Sequence, residues 1–141
     1  MKNYLRTSFP SVSRNEALAR GIAAQFCMQL DPTVEELSDV RTAVSEAVTN
    51  AIVHGYGCPD GEVLLELSCE GEAVTVTVED RGRGIEDIEL AMQPFYTTAA
   101  GSERSGMGFS VMRAFMDELT VESKPGRGTR VTMKKRFGAG E

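Results

Sequence analysis

Three residues set four apart, Glu46, Asn50 and His54, bring an acid, an amide and an imidazole into one short stretch of chain. At about 3.6 residues per turn such positions drift slowly around a helix and share one side of it. Beside them Val40, Val44, Ala47, Val48, Ala51 and Ile52 recur at helical spacing, which predicts a helix with its apolar stripe in the core. Three polar chemistries along such a stripe suggest a site, although the same row would serve on the surface of a half-exposed helix. Further along, Asp80 is followed by Gly82, Gly84 and Ile85. An acid at a strand mouth, with two glycines behind it, lets the backbone approach a ligand closely. Read alone, the same residues make an ordinary turn. Gly106-Met107-Gly108 opens a third candidate, a helix start whose free N–H groups and dipole favour phosphate.

The elements that must position these groups follow from pattern. Leu5, Thr7 and Phe9 alternate with polar residues as a short strand stopped by Pro10. Ser13 and Glu16 have the spacing of a capping box, and the helix behind them is expected to bury Leu18, Ala19, Ile22, Ala23, Phe26 and Leu30, with Arg14 and Arg20 facing away. Asp31-Pro32-Thr33 begins the helix that carries Glu46, with Thr33 and Glu36 set for a second capping box and Gly55 as its left-handed C-cap. Strands are expected at Glu62–Cys69 and Ala73–Asp80 around Gly71, with Val74, Val76 and Val78 as one buried face. A short helix at Glu86–Met92 precedes an aperiodic stretch from Gln93 to Ser105, expected to be a mobile lid. A helix carrying Phe109, Met112, Phe115 and Met116 inward follows, then a hairpin of Leu119–Ser123 and Thr129–Lys134. This order predicts an α+β fold over residues 1–141: a two-layer sandwich whose mostly antiparallel, mixed sheet is covered on one face by helices.

Composition narrows the function. With 21 acidic against 15 basic residues among 141, the net charge of −6 argues against a nucleic-acid backbone or an anionic membrane as the main partner. The first residues lack an apolar signal segment and no stretch is long enough to span a bilayer, so a cytoplasmic protein is expected. Cys27, Cys58 and Cys69 lack metal-ligand spacing, and one histidine excludes a two-histidine zinc site. Gly82-Arg83-Gly84 opens no long crossover helix, so it is not a dinucleotide-binding fingerprint, and no Walker A sequence is present.

Taken in order, Glu46/Asn50/His54, Asp80-x-Gly82-x-Gly84, Gly106-x-Gly108 and Gly126-x-Gly128-Thr129 resemble the ATP-binding domain shared by type II topoisomerases, the 90-kDa heat-shock chaperone, sensor histidine kinases and mismatch-repair ATPases, the GHKL or Bergerat fold. The chain's length is that of a free-standing module of this kind. Leu30-Asp31-Pro32-Thr33, Gln93-Pro94-Phe95-Tyr96-Thr97-Thr98, Glu103-Arg104-Ser105-Gly106-Met107-Gly108-Phe109 and Phe115-Met116-Asp117-Glu118 look like the anti-sigma F factors of spore-forming bacteria, nearly end to end. Ala99-Ala100-Gly101-Ser102 resembles that pattern less.

The resemblance implies a protein-serine kinase that uses ATP and Mg²⁺, returns ADP, sequesters a sigma factor and phosphorylates a small anti-anti-sigma protein. It implies Asn50 as the Mg²⁺ ligand and Glu46 as the base for the attacking serine hydroxyl. Asp80 would take the adenine amino group, helped by Thr129 through a water. Gly82, Gly84, Ile85, Thr97, Thr98, Ser105, Gly106, Met107, Gly108 and Phe109 would complete the nucleotide site, and Arg104 would reach the γ-phosphate as a catalytic donor. His54 would lie near the phosphates or ribose, or serve only the helix end. A homodimer is implied, and the exposed Arg20 is the candidate contact for either partner. The alternative is a nucleotide-dependent binding module that sequesters a sigma factor without phosphotransfer.

Overall fold

The computed structural model describes residues 2–92 and 108–138. Strands β1 (Lys2–Pro10), β2 (Glu62–Glu70), β3 (Ala73–Asp80), β4 (Glu118–Lys124) and β5 (Gly128–Arg136) form one sheet in the order β1-β2-β3-β5-β4. Every pairing is antiparallel, so among the described residues the sheet lacks the parallel pair that a mixed sheet requires. Period-two alternation explains why one face alone is covered. Val63, Leu65 and Leu67 on β2, Val74, Val76 and Val78 on β3, and Val131 and Met133 on β5 are all buried. The intervening residues Arg6, Glu66, Thr75 and Arg130 form the outer, wetter face.

Helices α1 (Asn15–Cys27), α2 (Val34–Thr49) and α4 (Phe109–Phe115) lie on the apolar face, and α3 is the single turn Ile88–Ala91. Helix α2 starts at a complete capping box: the Thr33 hydroxyl accepts from the Glu36 N–H and the Glu36 carboxylate from the Thr33 N–H. Its stripe of Val40, Ala43, Val44, Ala47 and Val48 is fully buried, each valine contributing roughly 1.5–3 kcal/mol. From Asn50 to Tyr56 the helix widens into a π segment, a form that gathers at functional sites. Gly57, at φ 69°, closes it by donating its N–H to the Ile52 carbonyl. No helix among the described residues is long and apolar enough to cross a membrane.

Several expectations are corrected. The first strand begins at Lys2 and includes Pro10, which an edge strand tolerates because its N–H side needs no partner. The capping box at Ser13 does not form: Arg14 is the N-cap, and the Glu16 carboxylate pairs instead with Arg20 at 3.1 Å. The buried side of α1 is Ala19, Ala23, Phe26 and Cys27, while Leu18 is half-exposed; the small alanines let α1 approach α2 closely. Phe115 is likewise partly exposed, whereas Phe109, Met112 and Met116 are buried as expected. The C-cap is Gly57, two residues beyond Gly55, because the π segment extends the helix. The expected lid falls outside the described residues.

Candidate functional site

One cleft opens where the π segment leans over the ends of β3 and β5. Asn50, Ala51, His54 and Gly55 line it from the helix together with Ala47; Val78, Asp80, Gly84, Ile85, Phe109, Thr129 and Val131 complete the wall. Seven residues singled out from the sequence, Asn50, His54, Asp80, Gly84, Ile85, Phe109 and Thr129, therefore meet in one place. Register explains part of this: Asp80 and Thr129 are direct cross-strand partners at the end of the β3–β5 ladder. Asn50 is buried and sits where the α-helix gives way to the π segment.

Asp80 is the buried charge of the cleft, only 6 % exposed. Burial pushes its carboxyl up to about 6, opposed by N–H donors from Gly82 and Thr129 and reinforced by the charge of Glu79. The Gly82 N–H reaches Oδ1 at 2.9 Å. A buried acceptor at the bottom of a largely apolar cleft suits a ligand whose polar edge presents a donor.

Gly82 does not line the cleft, yet it sets its shape. A Cβ at position 82 would run into the backbone carbonyl of Gly55, and one at Gly55 would meet the Asp80 carboxyl at under 3 Å. The two glycines thus let the π segment and the loop after β3 lie in contact, an approach the Arg83 N–H seals by donating to the Gly55 carbonyl at 2.9 Å. Ser123 braces the other side: its hydroxyl accepts from the Ile85 N–H at 2.8 Å and lies 2.8 Å from both the Gly128 carbonyl and the Thr129 hydroxyl. The Tyr56 hydroxyl accepts from the Arg81 N–H and donates to the Glu62 carbonyl.

Sequence reasoning missed Ser123, Tyr56 and the cleft role of Gly55. Gly55 carried a signal, a glycine next to His54 that a C-cap alone does not need; Ser123 and Tyr56 carried none.

Glu46 stands apart from the cleft, one turn before Asn50 on α2. Its carboxyl lies against Gly108, whose φ of 70° and missing side chain make room for it. It lines a separate hollow with Arg20 and Arg41. Arg20, expected to be exposed, is half-buried and paired with Glu16. Thr97, Thr98, Arg104, Ser105, Gly106 and Met107 lie outside the described residues.

Residues 9–135 match the family described as the histidine kinase-like ATPase domain. The chain is 53% identical over 137 residues to the anti-sigma F factor of Thermoanaerobacter sp. (strain X514), covering 97% of this chain and 96% of that one. It is 55% identical over 138 residues to the anti-sigma F factor of Clostridium botulinum (strain Eklund 17B / Type B), covering 96% of each. This chain belongs to the anti-sigma F factor family. Among solved structures, the RsbU and RsbW domains of a Mycobacterium tuberculosis protein superpose with a TM-score of 0.70 at 20% identity, over 96% of this chain and 32% of that one. A mycobacterial sensor histidine kinase superposes at 0.59 and 14% identity, over 94% of this chain and 98% of that one. These likenesses establish the α+β fold, and the family match makes residues 9–135 a histidine kinase-like ATPase domain.

Proposed function

We propose that this member of the anti-sigma F factor family binds Mg²⁺-ATP in the cleft, phosphorylates a small anti-anti-sigma protein on serine, and holds a sporulation sigma factor inactive in the cytoplasm. The observation that carries the reading is the convergence of Asn50, His54, Asp80 and Thr129 in one cleft, with the Glu46 carboxyl one helical turn away.

Adenine enters with its amino group donating to Asp80. Guanine presents a carbonyl at that position and would set acceptor against acceptor. Asn50 supplies a hard amide oxygen, and among the described residues no group of three His, Cys, Asp or Glu side chains forms a cage for a cation. That donor set fits Mg²⁺, which keeps waters and phosphate oxygens as ligands, and when bound the ion would neutralise phosphate charge. Glu46 takes the proton of the serine hydroxyl. The serine oxygen bonds to the γ-phosphorus as the bridging bond breaks, and ADP leaves with the electron pair. Because such a transition state is loose, positioning and charge do most of the work. Arg104 would add a donor to the γ-phosphate.

Arg20, held by Glu16 at the rim of the Glu46 hollow, is proposed to contact the two protein partners. A homodimer is proposed from the edge strand β1, where Tyr4 is 77% and Leu5 38% exposed. Light scattering at micromolar concentration should return twice the chain mass; a monomer with and without nucleotide would reject it. The kinase reading is tested with γ-labelled ATP, Mg²⁺ and a purified anti-anti-sigma protein. Wild type should label the partner, and Asn50→Ala should lose both Mg²⁺-dependent ATP binding and transfer. No label from wild type would overturn the reading.

A further inference from the structure

The hollow that Glu46 lines shares no residue with the nucleotide cleft. It is walled by Arg20, Ser38, Arg41, Thr42 and Ser45. Ser38, Thr42 and Ser45 are set three or four residues apart, with Arg41 next to Thr42 and Glu46 four residues after it, so they share one side of α2. The two arginines differ. Arg20 is engaged by Glu16, four residues before it. Arg41 is exposed, and the positions three and four residues away are Leu37, Ser38, Val44 and Ser45, so no acid stands at helical ion-pair spacing from it. Among the described residues no ion pair includes Arg41.

Geometry adds a direction. In phosphoryl transfer the attacking and leaving oxygens lie roughly in line, so the acceptor approaches from the side opposite the departing ADP. With Glu46 as the base that takes the serine proton, the acceptor hydroxyl has to come to Glu46, and Glu46 lines this hollow.

We propose that this hollow receives the segment of the protein substrate that carries the acceptor serine, and that Arg41 selects a carboxylate side chain close to that serine. The inference rests on the kinase reading above and names the substrate feature its site recognises. The hydroxyls of Ser38, Thr42 and Ser45 offer both donors and acceptors, which suits the backbone of an extended segment lying along that side of α2. Arg41 supplies the charge that fixes its register, a contact that governs recognition rather than proton transfer.

Steady-state transfer of γ-phosphate from ATP to a purified anti-anti-sigma protein tests this. Arg41→Glu should raise KM for that protein roughly tenfold, the scale expected when a favourable charge contact becomes repulsive. The value of kcat should move far less, and ATP affinity should stay at the wild-type value. Arg41→Lys, which keeps the charge, should fall between the two. Lysine in place of the substrate acid next to the serine should restore KM for Arg41→Glu, an effect that damage to the fold would not produce. A wild-type KM for Arg41→Glu would overturn the assignment and leave the kinase standing. Wild type that transfers no phosphate would overturn the kinase reading and this docking with it.

Discussion

Glu46→Gln is expected to slow phosphate transfer to the anti-anti-sigma protein by roughly 100- to 10,000-fold, the range for loss of a positioned proton acceptor. Glutamine nearly preserves the shape of the side chain, so its packing against Gly108 should survive. Glu46 lies outside the nucleotide cleft, so ADP and ATP affinity should hardly change. Single-turnover transfer and calorimetric titration separate the two quantities. A near wild-type rate would remove Glu46 as the base. Equal loss of rate and of nucleotide affinity would make it a binding residue instead.

Asp80→Asn should move function and stability in opposite directions. The Gly82 N–H holds one carboxylate oxygen, so in the variant the amide oxygen takes that place and the amide nitrogen turns donors toward the adenine amino group. Loss of a charge-assisted hydrogen bond, on the order of 1.5–3 kcal/mol, corresponds to a roughly 10- to 100-fold weaker affinity for ATP and ADP.

Stability follows from the raised carboxyl. With the folded value at about 6 against an ordinary value of 3.8, the protonated form stabilises the fold fully below about pH 4. That stability is lost as pH rises through about 6, so ionised Asp80 costs the free protein up to roughly 3 kcal/mol at neutral pH. The Asp80→Asn variant escapes this cost. Its melting temperature should exceed that of wild type at about pH 7.5, and the advantage should vanish near about pH 4. Wild-type ATP affinity should also fall as pH drops through about 6, and the variant should lack that dependence. Unchanged ATP affinity in the variant at neutral pH would take Asp80 out of the adenine pocket.

The site was legible where chemistry and periodicity coincided. Glu46, Asn50 and His54 are polar residues beside an apolar stripe, and Asp80 ends a strand of buried valines; both patterns arise from burial, which sequence records well. What escaped depends on contacts between distant segments. The π segment from Asn50 to Tyr56 leaves no mark on an apolar stripe that reads as a continuous α-helix. It carries Gly55 from an expected cap to a point of contact with Asp80 and Gly82. Ser123 joins the loop after β3 to the start of β5, a link between elements far apart in sequence. The stripe of α1 was misread at Leu18 alone: it is large and apolar, yet Ala19, Ala23 and Phe26 are the residues buried there, with Ile22 and Leu30 packed beside them. The sheet's order was not readable at all, since placing β5 between β3 and β4 rests on pairing rather than pattern.

The most direct measurement is mass-spectrometric mapping of phosphate after wild-type protein, Mg²⁺-ATP and the anti-anti-sigma protein are incubated together. The expected result is a single phosphate on one serine of the partner, formed in proportion to ADP and absent when GTP replaces ATP. ADP released without a phosphorylated partner, or phosphate found on His54 of this chain, would contradict it.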